Sequence, residues 1–168
     1  MSKKDDTKIW YKDGMLHRDG DLPAMSWDDG TKYWYQHGKL HRNGDLPAME
    51  TPRRDKAWYQ NGLIHREGDK PAFEGIKGDK HWYKNGLRHR EDDLPAIVWE
   101  DGTKEWYQNG LRHREDDKPA FEGMFGHKRW YWYGVNVEKA WYRDGRLHRD
   151  DNKPAIIYGK QQYEFALV

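Results

Sequence analysis

The chain has 168 residues, a length that suits one domain, and its 30 basic and 29 acidic side chains leave a formal net charge of +1. That balance removes the generic electrostatic attraction on which nonspecific binding to nucleic acid or anionic lipid rests. The lack of cysteine excludes disulfides and thiolate metal sites and agrees with a reducing compartment.

A mean hydropathy of -1.31 with 35% charged residues would, alone, describe a chain too polar to fold. The 10 Trp and 11 Tyr argue the other way, because each ring brings large apolar area with a polar handle, enough for a thin aromatic core. Residues 1–7 are a polar lead expected to be disordered. MSKKDDTKIW lacks the apolar core of a signal peptide, and no apolar run is long enough to span a bilayer. The expectation is a cytoplasmic protein with no membrane insertion.

From Lys8 onward the chain is a repeat. Trp10, Trp34, Trp58, Trp82 and Trp106 recur every 24 residues, and Trp141 opens a last copy. Each copy continues through Tyr, a turn dipeptide such as Asn61-Gly62, a His-Arg pair, a polar loop, and Pro-Ala followed by an apolar residue. A fixed period of this size marks a repeat array. Asn-Gly and Asp-Gly tolerate positive φ, so a strand and a tight turn open each copy. Proline has no N–H and suits the start of a strand, so a second strand begins at Pro-Ala. Turns such as Asp28-Asp29-Gly30 return the chain to the next Lys-x-Trp-Tyr. The predicted fold is all-β: one elongated antiparallel meander with two short strands per 24-residue repeat.

The period breaks after Trp130-Tyr131, which falls on schedule but lacks the His-Arg loop and Pro-Ala. The predicted division is five repeats over 8–127, a truncated repeat over 128–138, a last repeat over 139–157 and a capping strand within 158–168. A tight hairpin is predicted to pair Lys128–Tyr133 with Val137–Tyr142 around Gly134-Val135-Asn136.

The pattern Trp-Tyr-x-Asn-Gly-x-x-His resembles the MORN repeat, in particular variants of bacteria, phages and large DNA viruses that read WYxNGxxHRxxGPA. The resemblance covers Lys8 to about Tyr163 and implies a β-hairpin unit in a rolled meander. This chain has Arg18, Arg42, Arg66, Arg90, Arg114 and Arg149 where MORN units usually have glycine.

Four constellations carry chemistry. The histidines His17, His41, His65, His89, His113 and His148 lie one per copy, which puts neighbours about 10 Å apart, too far to share a metal ion. They read as hydrogen-bonded loop residues, and neither metal nor cofactor is expected. The arginines stand three residues before an aspartate in five copies, as in Arg18 and Asp21, while Asn152 answers Arg149. They either form a charge-balanced edge, pinned within or between loops, or grip acidic side chains or phosphates of a partner.

The ladder Trp10, Trp34, Trp58, Trp82 and Trp106 either packs beneath the Pro-Ala strand or leaves a half-open stripe able to stack bases. The irregular patch of Phe125, Trp130, Tyr131, Trp132, Tyr133 and Trp141 is either a partner-binding surface or a corner of the meander. Catalysis has little support, because an active site is one unequal constellation and this pattern repeats evenly. The leading expectation is a non-enzymatic protein-binding module, with the viral resemblance suggesting one that masks a host factor. Binding of nucleotide or single-stranded nucleic acid through the Trp and Arg rows, and a structural or virion role, are the alternatives.

Overall fold

The computed structural model describes residues 7–116 and 118–137, and the backbone of four later strands, Lys139–Ala140, Tyr142–Arg143, Arg146–Leu147 and Ile156–Ile157. The lead at 1–6, the cap at 158–168, Trp141, His148 and Arg149 lie outside the described residues. Among those described there is no α-helix; one 3-10 turn spans Met124–Gly126.

The meander is present as one antiparallel sheet of 12 strands, running from Lys8–Ile9 to Val135–Val137 with every neighbour next in order along the chain's path. Each regular repeat gives it two strands. In the third copy these are Lys56–Ala57 and Phe73–Glu74, paired Ala57 with Phe73 and Lys56 with Glu74. Between them the chain leaves the sheet for a hairpin, Tyr59–Gln60 against Leu63–Ile64, whose return strand lies where the sequence predicts a polar loop. The turn residues Asn61 and Gly62 have φ of 51° and 87°, the two positive values a type I′ turn needs, which is why Asn-Gly sits there.

Tryptophan is the switch between the two layers. The Trp58 amide donates to the Ala72 carbonyl in the sheet (2.8 Å), and its own carbonyl accepts from His65 N–H in the hairpin (3.0 Å). Successive hairpins are then joined by single bonds from the turn glycine, as from Gly62 N–H to the Leu40 carbonyl (2.8 Å) and Gly86 N–H to the Ile64 carbonyl (2.9 Å). The short strands therefore gain cooperativity from stacking, since a lone hairpin is marginal in water.

The core is thin. Among the described residues it consists of Trp34, Trp58, Trp82 and Trp106, each at most 8% exposed, the alanines of Pro-Ala, Ala57, Ile97 and Tyr107. Along one line across the sheet, cross-strand partners run through Tyr33, Met49, Ala57, Phe73, His81, Ile97, Glu105 and Phe121. The adjacent line carries Lys32, Glu50, Lys56, Glu74, Lys80, Lys104 and Glu122, with its lysines exposed.

Candidate functional site

The arginine and tryptophan rows are one structure. Arg66 lies flat over Trp58, with its guanidinium carbon 3.7 Å from the ring centroid. Its Nε and Nη2 donate to the two carboxylate oxygens of Asp45 (2.7 and 3.3 Å), and Nη1 donates to the Pro71 carbonyl (3.1 Å) and to Glu74 (3.0 Å). The Trp58 indole N–H donates to the main-chain carbonyl of the same Asp45 (3.0 Å). Asp45 belongs to the preceding copy, so each clamp closes a boundary between repeats. It recurs with Arg42 and Trp34 on Asp21, Arg90 and Trp82 on Asp69, and Arg114 and Trp106 on Asp93.

The pairing three residues apart suggested by sequence is thus resolved as pairing between copies: the carboxylate of Asp21 goes to Arg42, not to Arg18. The clamp aspartates hold φ between 40° and 54°, a region that Asp and Asn enter more readily than other non-glycine residues. The guanidinium draws each carboxyl below its usual range, and in Asp45 the bonds from Arg66 and then Lys70 take it to about 2. With ring face, fork and indole N–H all engaged, neither row offers an open stacking stripe in these four copies.

The histidines seal the hairpin stack. His41 Nδ1 accepts from the Asn61 amide of the next copy (3.2 Å), and the same bond joins Asn85 to His65 and Asn109 to His89. A backbone N–H can only donate, so the proton sits on Nε2, which faces an acceptor two residues on, as in His65 and Glu67 (2.9 Å). Among the described residues no three His, Asp or Glu side chains are grouped as metal ligands.

The aromatic patch is divided by the structure. Phe125 is 90% exposed on the Met124–Gly126 turn, at the start of the Lys128–Trp132 strand. Tyr133 lies beyond the other end, stacked on His113 at 4.2 Å, with Trp132 edge-on to the same imidazole at 4.4 Å. Tyr131 lies 4.6 Å beneath the Arg112 guanidinium. Trp130 pairs with Val137 and Trp132 with Val135, so the hairpin turns on Tyr133-Gly134 rather than around Gly134-Val135-Asn136. Phe125 therefore stands apart from the cluster with which sequence grouped it, and Trp141 is outside the described residues.

Two features escaped the sequence reading. A buried polar network lies under the fourth and fifth copies: Glu105 accepts from the Trp99 indole (3.1 Å), the Tyr107 hydroxyl (2.9 Å) and Arg112. Burial raises its pKa, but the hydrogen bonds from Trp99 and Arg112 outweigh that and hold the carboxylate ionised below its ordinary value. The only sequence signal was drift at the residue before tryptophan, from Ala57 through His81 to Glu105.

The second is a stripe on the outer side of the hairpins: Leu63, Leu87, Leu111 and Val135 are 50%, 50%, 47% and 51% exposed and hold one register position in successive copies. Leu87 reaches over the Gly110 turn of the next copy, where an added Cβ would lie 3.3 Å from its methyl, so glycine is needed for close approach as well as for φ. Comparisons with protein-family models, curated proteins and solved structures gave no match.

Proposed function

We propose that this chain is a non-enzymatic repeat module that binds a protein partner along the outer face of its hairpin stack. The observation that carries this reading is the half-exposed stripe of Leu63, Leu87, Leu111 and Val135. Spacing of roughly two strands, about 10 Å, between rungs gives an extended apolar row of the kind that marks interaction surfaces. The internal clamps support the same reading, since they occupy the arginines and tryptophans that a nucleotide or single-stranded nucleic acid would need. The MORN-like pattern WYQNGLRH and its resemblance to phage and viral variants support a narrower form, in which the partner is a host factor that the chain masks.

Lys39 holds the stripe position in the second copy, so lysine fits there. Wild type and a Leu63→Lys/Leu87→Lys chain, tagged at each terminus in turn, would be used to capture partners from lysate. The expected result is a protein retained by wild type and reduced at least about tenfold by the double variant, with Tm unchanged. Recovery of nothing above background by wild type with either tag would sink the reading.

A further inference from the structure

Leu63, Leu87 and Leu111 stand at one register position in three consecutive hairpins, across from Gln60, Lys84 and Gln108 on the same outer face. Each leucine leans over the turn of the next copy: an added Cβ at Gly86, Gly110 or Gly134 would lie 3.4, 3.3 or 3.5 Å from a methyl of Leu63, Leu87 or Leu111. The apolar row is therefore continuous across the copy boundaries. Its period is that of the hairpins, about 10 Å for two strands.

A partner that packs between these leucines must itself repeat near that distance on one face. An α-helix does so at every seventh residue, about 10.5 Å further on, and its drift of about 20° per heptad keeps a few heptads over a straight row. An extended strand advances about 10 Å in three residues, but three is odd, so successive side chains would point alternately towards the row and away from it. A polyproline II segment returns to one face about every 9 Å, yet it docks on aromatic rings, and the positions across from the three leucines are Gln, Lys and Gln. Among its described residues this chain has no α-helix to offer a second copy of itself.

The charges beside the row favour a basic occupant. Lys84 Nζ donates to Glu91 at 2.9 Å, so a lysine on this face reaches the carboxylates that follow the His-Arg pairs. In the copies on either side, Gln60 and Gln108 stand in place of that lysine. There Glu67 and Glu115, both exposed, accept only from His65 and His113 Nε2 among the described residues.

We infer, given the reading of this row as the partner face, that its occupant is an amphipathic α-helix of a partner protein. The helix lies along the array, with an apolar residue at every seventh position and lysine or arginine beside that seam. The seam packs between Leu63, Leu87, Leu111 and Val135 and supplies most of the affinity. The cations reach Glu67 and Glu115 as Lys84 reaches Glu91, and they set the orientation.

The probe is a labelled peptide of three LKAAAQK heptads, with a leucine seam and lysine on both flanks. Titrated with the full chain and followed by fluorescence anisotropy and circular dichroism, it should bind saturably and gain helicity. It should bind at least about tenfold more tightly than an isomer whose leucines are moved to different faces, and Leu63→Lys/Leu87→Lys should weaken it by a similar factor. Heptads of LEAAAQE should bind more weakly than the lysine form. Glu67→Gln/Glu115→Gln keeps an acceptor for each histidine but removes the charge, and should shrink that difference at least about threefold. If the leucine variant fails to fold, the peptide series on wild type still decides. No saturable binding, equal binding of the isomer, or tighter binding of LEAAAQE heptads or of PPL repeats overturns the helix assignment. Capture from lysate judges the row itself: a partner lost with the leucine double variant, alongside no binding of the helical probe, would leave the partner face standing and overturn only its helical occupant.

Discussion

The copies opening at Trp106 and Trp130 begin alike and are held differently. Trp106 is buried, bonded to the Asp93 carbonyl and covered by Arg114, and its chain switches from sheet to hairpin at that residue. Twenty-four residues on, the chain runs straight through Lys128–Trp132 and folds back on Val135–Val137 with no switch. The hairpin still stacks in register, because Gly134 N–H reaches the Arg112 carbonyl at 2.9 Å, as Gly38, Gly62, Gly86 and Gly110 each reach a carbonyl of the copy before. What it lacks is the regular histidine bond. Tyr133 takes the asparagine's place and stacks on His113, whose buried Nδ1 is left without a hydrogen-bond partner. Backbone stacking thus sets the period, while the Asp-Arg-Trp clamp makes one copy specific for the next.

That comparison can be broken most forcefully at the ring. Trp82→Ala, at a side chain only 8% exposed, is expected to cost about 3–5 kcal/mol in urea unfolding, and a loss below about 1 kcal/mol would mean the clamp does not form the core. Next comes Arg90→Ala, which removes the fork on Asp69, the bond to Pro95 and the cover over Trp82. Because Asp69 is 57% exposed and screened, about 2 kcal/mol is expected, most of it from packing and the carbonyl bond. Arg129→Ala, outside the four clamps among the described residues, should cost less than half as much.

Acid should loosen the clamped copies in a defined window. The folded-state pKa values of Asp21, Asp45, Asp69 and Asp93 are depressed by their arginines, so their contribution is complete above the ordinary carboxylate value and lost as pH falls through the folded one. Tm should therefore drop progressively from about pH 4 towards about 2, the value reached by Asp45. Asp45→Asn, which keeps the left-handed backbone, should flatten part of that slope; an unchanged slope would show that the clamp carboxylates contribute nothing. The smallest effect belongs to Phe125→Gly. The ring is 90% exposed at φ of 57°, and relief of that backbone strain should leave stability unchanged or raise it by up to about 1 kcal/mol in the same urea assay.

Much of the fold was legible because its determinants are local. Asn61-Gly62 requires a tight turn, Pro71-Ala72 starts a strand, and equal spacing forces equal environments. The return strand Leu63–Ile64 was missed because two residues leave no alternation to read. The site was less legible. Asp21 is three residues from Arg18 in sequence and serves Arg42 in space, a choice decided by stacking that no spacing within one copy encodes. Leu63, Leu87 and Leu111 share one spacing in the sequence, and only their common exposure on the folded hairpins marks them as a row.

By itself the sequence determined a period, an all-β meander and a clamp's worth of residue types in each of the five regular copies, since short-range backbone preferences repeat wherever the same residues do. Only the tertiary structure decided which copy each aspartate serves, because a carboxylate pairs with whichever guanidinium the stacked hairpins bring within hydrogen-bond reach.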